Sequence, residues 1–375
     1  MPDIKTIADN ADFIVNGKQT MPKISLVIPC WHATKHLPHV LEDLQAQTFT
    51  DFEAILVNDG DDSQVEAMEQ IASQDSRIHI VRLEKNSGVA AARNAGTEIA
   101  QAPWVGYADP DDRFGPHYLQ SLYEAVDGTG AEMACGGFTF HYVRTGKKVP
   151  DHFSIGNSPQ VMDLAKAYEM MHSAFADGMV WNRLYSRDIM QRNEVRYDEK
   201  MKMSEDQAFN HKYYQFIQKV GMVRDCEYEY YIYGGETVSH SYDPLFMKNL
   251  TERIALLETT YRRIGWPDKR IREQRNKVLT YESFRMCSTL YSARSPLNFC
   301  SAATKVREDI LNQPEIVSAI LEGNYERDRM IRLHQWLVRQ GNAHLMALVY
   351  KILGMAKSRF GNIYAKIKPF IRGDI

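Results

Sequence analysis

Four short apolar runs, each followed by an amphipathic stretch, constrain the fold of this chain more than any other feature. The runs cover residues 24–29, 52–57, 78–83 and 104–108. Between them, apolar residues recur at the three- and four-residue spacing of helices, and the last of these helices follows Ser87, an expected N-cap. Strands that alternate with helices build a parallel sheet. The sequence therefore predicts an α/β fold: a Rossmann-like, mostly parallel sheet with helices on both faces.

The regular alternation ends near residue 130, which suggests a division of the chain into regions. Residues 1–21 form a polar leader, and residues 22–243 contain the α/β domain with later strands expected at 138–143 and 227–233. From 244–375 the pattern is almost continuously helical, with frequent Lys, Arg and Leu. We therefore expect a mainly α-helical C-terminal region.

Composition excludes several classes of function. The 375 residues carry a net charge of −3, which argues against nucleic-acid binding, because that requires a basic field. The five cysteines are widely spaced and contain no C-x-x-C pair, a pattern of reduced thiols. The chain shows no apolar N-terminal leader and no run of about 20 apolar residues. These features predict a cytoplasmic location.

An aromatic residue and several acids come directly after predicted strands. Trp31 follows the first strand, Asp59 the second, and Asp109 and Asp111 the fourth. The carboxyl ends of parallel strands share one rim, where ligands of such sheets bind. There, Trp31 could stack on a base, Asp59 could accept a hydrogen bond from it, and the acid pair could hold a hard cation beside a diphosphate. This combination suits a sugar nucleotide.

The alternative interpretation of these acids is local, because Asp and Asn commonly cap the turn between a strand and a helix. We assign that capping role to Asp61 and Asp62. For Asp109 and Asp111 we favour a functional role, because close acids without a counter-ion repel each other.

Several ordered motifs resemble those of the family 2 glycosyltransferases, which have the GT-A fold and build bacterial polysaccharides and cell-surface glycans. They are Ser-Leu-Val-Ile-Pro at 25–29, Ile-Leu-Val-Asn-Asp-Gly at 55–60, Asn-x-Gly at 86–88 with Ala-Arg-Asn at 92–94, and Tyr-Ala-Asp-Pro-Asp-Asp at 107–112. The resemblance covers roughly residues 22–242. It departs from the family pattern at His32 and Asn58, which stand where Asn and Asp are usual; we interpret both as local adjustments.

The resemblance implies a metal-dependent, inverting transfer of a hexosyl or N-acetylhexosaminyl group from a nucleotide sugar, most simply a UDP-sugar, to a hydroxyl of a glycan or lipid-linked acceptor. The implied cofactor is Mn²⁺ or Mg²⁺. The implied nucleotide-binding residues are Pro29, Trp31, Asp59, Asn86, Gly88, Arg93 and Asp109. The implied metal ligands are Asp111, Asp109 and His240, the last in a Gly-rich segment.

The downstream half resembles the acceptor side of the same family. The segment 179–185 is similar to the lining of the sugar and acceptor pocket, where we place Trp181 and Asn182 together with Asp112. Ser-Glu-Asp at 204–206 resembles the signature in which Asp206 is the general base, with Glu205 as the second candidate. A purely structural alternative is that Ser204 caps a helix whose dipole favours the two acids.

Two further expectations concern partners and competing functions. Apolar and basic residues interleave over 345–371, so a basic helix could contact anionic lipid at the inner face of the plasma membrane; ordinary packing is the alternative. A non-catalytic nucleotide- or glycan-binding module would also suit this scaffold, although it would not need both the acid motif and the base. A nucleotidyltransferase is disfavoured because the first strand leads into Cys30-Trp31-His32 rather than a Gly-rich basic loop.

Overall fold

The protein is described here by a computed structural model, which divides into two compact units, Met1–Gly234 and Gly235–Ile375. The residues that the structure describes are 4–6, 14–15, 18–19, 21–174, 176–233, 243–290, 295–326 and 328–359, with side chains from residue 21 to residue 355.

The first unit is built on a mixed sheet flanked by helices. Its strands are β1 (Ile4–Thr6), β2 (Ile14–Val15), β3 (Lys18–Gln19), β4 (Ile24–Cys30), β5 (Phe52–Asn58), β6 (Ile78–Leu83), β7 (Trp104–Tyr107), β8 (Arg113–Phe114), β9 (Met133–Tyr142), β10 (Lys147–Asp151), β11 (Gln160–Asp163), β12 (Arg183–Ser186) and β13 (Lys219–Ile232). Its helices are α1 (Leu37–Gln45), α2 (Val65–Ala72), α3 (Val89–Ile99), α4 (Tyr118–Glu124), α5 (Leu164–Ser173), α6 (Arg187–Arg192) and α7 (Glu205–Tyr213).

The parallel half of the sheet follows the apolar runs of the sequence. Strand β4 pairs in parallel with β5 and β7, and β5 pairs in parallel with β6. Every residue of β4 and β5 is buried, which explains why their sequences are continuously apolar rather than alternating. Helix α3 packs closely on these strands, since a Cβ on Gly96 would lie 2.4 Å from Cγ1 of Val27. The predicted parallel α/β arrangement is confirmed here.

The second half of the sheet is mixed, and the sequence predicted it less well. The strand order is β1-β6-β5-β4-β7-β12-β9-β13-β11, with β10 paired to β9 and β8 to β13. Strand β12 runs antiparallel to β7 and β9, whereas β13 runs parallel to β9. The expected strands at 138–143 and 227–233 are the later parts of β9 and β13. In the predicted leader, β1 pairs with the edge strand β6.

The second unit is helical in the residues that the structure describes, as the sequence predicted. Its helices are α8 (Phe246–Arg263), α9 (Asp268–Thr289), α10 (Phe299–Val306), α11 (Pro314–Glu322), α12 (Arg329–Gln340) and α13 (Ala343–Arg359), with a π-helical turn Arg307–Leu311 after α10. The side chain of Asp328 caps the first turn of α12, and Gly341 ends that helix in the left-handed conformation. Within the described part of the chain, no helix is both long and apolar enough to cross a membrane.

Candidate active site

The turn after β5 is organised by the buried carboxylate of Asp59. Its Oδ1 accepts a hydrogen bond from the Ser87 backbone N–H at 2.7 Å, and its Oδ2 accepts one from the Gly88 N–H at 2.9 Å. Burial raises the pKa of Asp59, and these two hydrogen bonds oppose that shift. Gly60 has φ +68°, and a Cβ there would lie 2.1 Å from the carbonyl carbon of Lys85. Asp59 therefore holds the loop that carries the predicted Asn86-x-Gly88 motif.

The same contacts correct one expectation about α3. The N-cap of this helix is Gly88, at φ +91°, and not Ser87. The Ser87 hydroxyl donates instead to the Lys85 carbonyl oxygen, because its backbone is already committed to Asp59.

A buried polar network supports the exposed ring of Trp31. His32, which has φ +52°, contacts Asp61 through Nδ1 at 2.8 Å. Gln64 Nε2 donates to Asn58 Oδ1 at 2.9 Å, and Asn58 Nδ2 donates to the Asp61 carbonyl oxygen at 2.9 Å. The two departures from the family pattern are thus partners in one network. Asp61 also caps the following turn, as predicted, and Trp31 is left 51% exposed.

The acidic turn after β7 contains two outward-facing acids and one buried acid. Asp112 is buried; its Oδ2 accepts a hydrogen bond from the Tyr228 hydroxyl at 2.9 Å, and its Oδ1 accepts one from the Tyr231 N–H at 2.7 Å. The Tyr228 hydroxyl also accepts a hydrogen bond from the Asp109 N–H at 3.1 Å. Asp111 lies at the surface, where the loss of surrounding water and the nearby Asp109 carboxylate raise its pKa to about 6. Asp112 therefore anchors the turn that presents the other two acids.

Arg93 joins this turn to the predicted general base. Its guanidinium is buried, and it donates to Asp109 Oδ1 at 2.8 Å and to Asp206 Oδ1 at 2.5 Å. Burial opposes its charge, but Asp206 and Asp109 raise the pKa of Arg93 well above its usual value. Burial raises the pKa of Asp206 and Arg93 lowers it, while the adjacent Glu205 and nearby Asp109 add to the rise. The structure thus brings Asp206 and Asp109, which are far apart in sequence, to one arginine.

Helix α7 positions Asp206 on one side and an inner loop on the other. Ser204 precedes the helix with φ +61°, and its hydroxyl makes no capping bond, so the side-chain cap expected there is wrong. Further along α7, Asn210 donates to the Met179 carbonyl oxygen at 2.8 Å, in the loop that leads to Trp181. The helix start that fixes Asp206 therefore also fixes this loop.

The two aromatic and amide residues predicted to line the acceptor pocket are buried. Trp181 stacks on Tyr228 with ring centroids 4.4 Å apart and on Tyr230 at 5.3 Å. Asn182 donates through Nδ2 to the Gly136 carbonyl oxygen at 2.6 Å. Both side chains support the wall behind the acidic turn, and their contact with a sugar stays a prediction.

The remaining predicted residues have simple placements. Pro29 is buried in β4 opposite Val57, and Asn86 is exposed. His240 lies outside the described residues, and no group of three or more His, Cys, Asp or Glu side chains arranged to hold a metal occurs in the described part of the chain. Sequence reasoning missed Tyr228, whose hydroxyl serves the acidic turn, because only the pairing of β13 brings that strand beneath it.

Comparison with known proteins points to one family. The family model for Glycosyl transferase family 2 matches residues 25–193. The uncharacterized glycosyltransferase EpsJ of Bacillus subtilis (strain 168) is 26% identical over 211 residues, which cover 56% of this chain and 61% of EpsJ. The poly(ribitol-phosphate) beta-N-acetylglucosaminyltransferase TarP of Staphylococcus aureus (strain N315) is 26% identical over 216 residues, covering 56% of this chain and 63% of TarP. The match thus spans less than two thirds of either relative.

A solved structure extends the likeness to the fold of nearly the whole chain. S. aureus TarS 1-349, in complex with UDP-GlcNAc, matches with a TM-score of 0.59 at 16% identity, covering 90% of this chain and 92% of that one. This likeness confirms the expected GT-A fold followed by a helical region. The chain is accordingly a bacterial-type member of glycosyltransferase family 2, with its family domain at residues 25–193.

Proposed function

We propose that this chain is an inverting glycosyltransferase that uses Mn²⁺ or Mg²⁺ and moves a hexosyl or N-acetylhexosaminyl group from a UDP-sugar to a hydroxyl of a cell-surface glycan or lipid-linked acceptor. One observation carries the proposal: Arg93 binds both Asp109, at the strand-end rim, and Asp206. Direct displacement at a sugar needs a site for the leaving diphosphate and, close to it, a base for the attacking hydroxyl. Asp109 and Asp206 would supply these two parts.

The rim acids fit a divalent cation. Carboxylate oxygens are the ligands that Mg²⁺ and other hard cations prefer, and such ions often use only one or two protein carboxylates together with phosphate oxygens. A cation would also relieve the repulsion through which Asp109 raises the pKa of Asp111. We therefore assign Asp111 and Asp109 as the ligands, with His240 as a further candidate. When bound, the ion would neutralise charge on the departing diphosphate.

The donor side of the proposal rests on Trp31 and Asp59. The exposed Trp31 ring offers a stacking surface for a base. Each Asp59 oxygen already accepts one backbone N–H, but a carboxylate has further lone pairs for the imide N–H of uracil. TarS, with a similar fold, has been solved with UDP-GlcNAc and with UDP, which supports a UDP-sugar. Because Arg93 is committed to internal acids, it would serve the nucleotide indirectly through Asp109.

The base in this proposal is Asp206. Its side chain is 25% exposed, and its bond to Arg93 engages Oδ1. An acceptor hydroxyl must lose its proton as it attacks, and a carboxylate whose pKa is raised accepts that proton more readily than an ordinary one. Glu205, 14% exposed and 3.9 Å from the Arg93 NH1 nitrogen, is the second candidate.

Thermal unfolding with a nucleotide panel tests the proposal. UDP with Mn²⁺ should raise the melting temperature more than GDP, dTDP or CMP, because a ligand that binds only the folded state stabilises it. Asp111→Asn should remove the Mn²⁺-dependent part of the shift. Asp62→Asn is a matched control, since Asp62 is a solvent-exposed acid near the same rim that pairs with Arg82. Binding of UDP without transfer or hydrolysis of any UDP-sugar would favour the non-catalytic module instead.

For the helical unit we propose peripheral contact with anionic lipid on the cytoplasmic side of the membrane. Leu348, Ile352 and Met355 are exposed at a four- and three-residue spacing along α13, so they share one face, and Lys351 lies beside them. Apolar side chains next to basic ones suit the surface of an anionic bilayer.

A further inference from the structure

Arg93 occupies an unusual position for a single side chain, because its two terminal nitrogens serve two different acids. NH2 donates to Asp109 on the rim, and NH1 donates to Asp206 on α7 and lies 3.9 Å from Glu205. The guanidinium is 3% exposed, and its Nε has no hydrogen-bond partner among the described residues. The guanidinium carbon lies 5.5 Å from the ring centre of Tyr197. Few alternative partners are therefore within reach of this charge.

We propose that Arg93 is a positioning residue that couples the orientation of Asp206 to the occupancy of the rim at Asp109. This inference rests on the proposed function. Arg93 and a divalent cation would compete for the same Asp109 carboxylate, because two positive charges close together repel. When the rim is empty, Arg93 divides its hydrogen bonds between Asp109 and Asp206. When the rim is occupied, Arg93 loses its hold on Asp109 and bonds chiefly to Asp206 and Glu205.

The consequence for the reaction is that Asp206 becomes fully held only when the donor side is loaded. Arg93 fixes one carboxylate oxygen of Asp206, and the fork geometry of a guanidinium makes that hold directional. Since coupling between two sites is reciprocal, changes at Asp206 must also alter the affinity of the rim for a cation. A residue that served only to fill the interior would produce no such effect.

Calorimetric titration of the full chain with MnCl₂ alone measures the coupling. Arg93→Gln should bind Mn²⁺ roughly threefold to thirtyfold more tightly than wild type, the range typical of interacting neighbours. Asp206→Asn should bind it several-fold more weakly, because Arg93 then turns its whole charge toward Asp109. In the double variant the Asp206→Asn effect should largely disappear. Arg77→Gln is a matched control: it removes an arginine of the same unit, paired with Asp75, and should leave the affinity unchanged.

A charge-conserving variant guards against simple misfolding. Arg93→Lys should keep Mn²⁺ affinity within about twofold of wild type, yet lower kcat at least about tenfold with little change in the donor KM, because an ammonium lacks the fork that spans two carboxylates. Wild-type Mn²⁺ affinity in Arg93→Gln, or full kcat in Arg93→Lys, would overturn the coupling alone. A wild-type protein that binds neither Mn²⁺ nor UDP would overturn the proposed function as well.

Discussion

Acid should destabilise the helical unit through one buried histidine. His334 on α12 is fully buried; its Nε2 lies 3.0 Å from the Ser283 hydroxyl and its Nδ1 lies 2.7 Å from the Tyr350 hydroxyl. Ser283 donates its own proton to the Thr280 carbonyl oxygen, so the neutral ring donates through Nε2 and accepts from Tyr350 through Nδ1. Protonation at Nδ1 would break the bond from Tyr350 and place a charge in the interior. The His334 ring therefore fits its site only when it is neutral.

The size of the effect follows from the pKa. Burial lowers the pKa of His334 from 6.5 to about 3. The unfolded chain thus binds the extra proton between pH 6.5 and pH 3 while the folded chain does not, so stability is fully present above pH 6.5 and is lost as pH falls. At about 1.4 kcal/mol per pKa unit, the free energy of unfolding should drop by about 2 kcal/mol between pH 7.5 and pH 5.

Urea unfolding followed by circular dichroism at 222 nm, at pH 7.5 and at pH 5, measures this loss. His334→Gln should be less stable than wild type at pH 7.5, because it disturbs the contacts to Ser283 and Tyr350, but it should lose about 2 kcal/mol less on acidification. His344→Gln is the control, since it removes an exposed histidine of the same unit. Equal losses in wild type and His334→Gln would refute the reasoning.

Three further predictions concern the proposed function. Asp111→Asn should abolish Mn²⁺-dependent transfer without unfolding the protein, because volume is conserved; full activity of this variant in EDTA would contradict the metal assignment. Asp206→Asn should lower transfer about 100-fold to 10,000-fold while UDP still binds; retention of more than a tenth of wild-type transfer would remove it as the base. Ile352→Ser on α13 should weaken binding to anionic liposomes, as should raised salt, whereas no binding by wild type at low salt would leave α13 a packing helix.

The parallel half of the sheet was predictable because its signals are local. The runs that became β4 to β7 are apolar throughout, as strands buried on both faces must be. Once those strands were assigned, Trp31, Asp59 and Asp109 had to follow strand ends on one rim. The second half of the sheet lacked such signals. Strand β12 has only four residues and is recognisable mainly through its pairing with β7 and β9.

The inner contacts of the site were not predictable, because they depend on long-range geometry. Asp112 was expected near the sugar, yet both of its oxygens are bonded to β13, through Tyr228 and Tyr231. Arg93 was expected at the nucleotide, yet its partner Asp206 lies 113 positions along the chain. Sequence motifs indicate which residue types the chemistry needs, but they do not show which of these residues bond to one another.

The backbone around the site is held in conformations that side chains rarely adopt. Among described residues other than glycine, positive φ occurs at His32, Glu194, Ser204 and Glu227. Three of these four stand next to functional elements: the Trp31 turn, the start of α7, and the strand segment that presents Tyr228. Each such conformation costs on the order of 1–3 kcal/mol and persists only where surrounding contacts determine it. Buried bonds provide that constraint at His32, so the rigidity of the rim depends on the same network that departs from the family pattern.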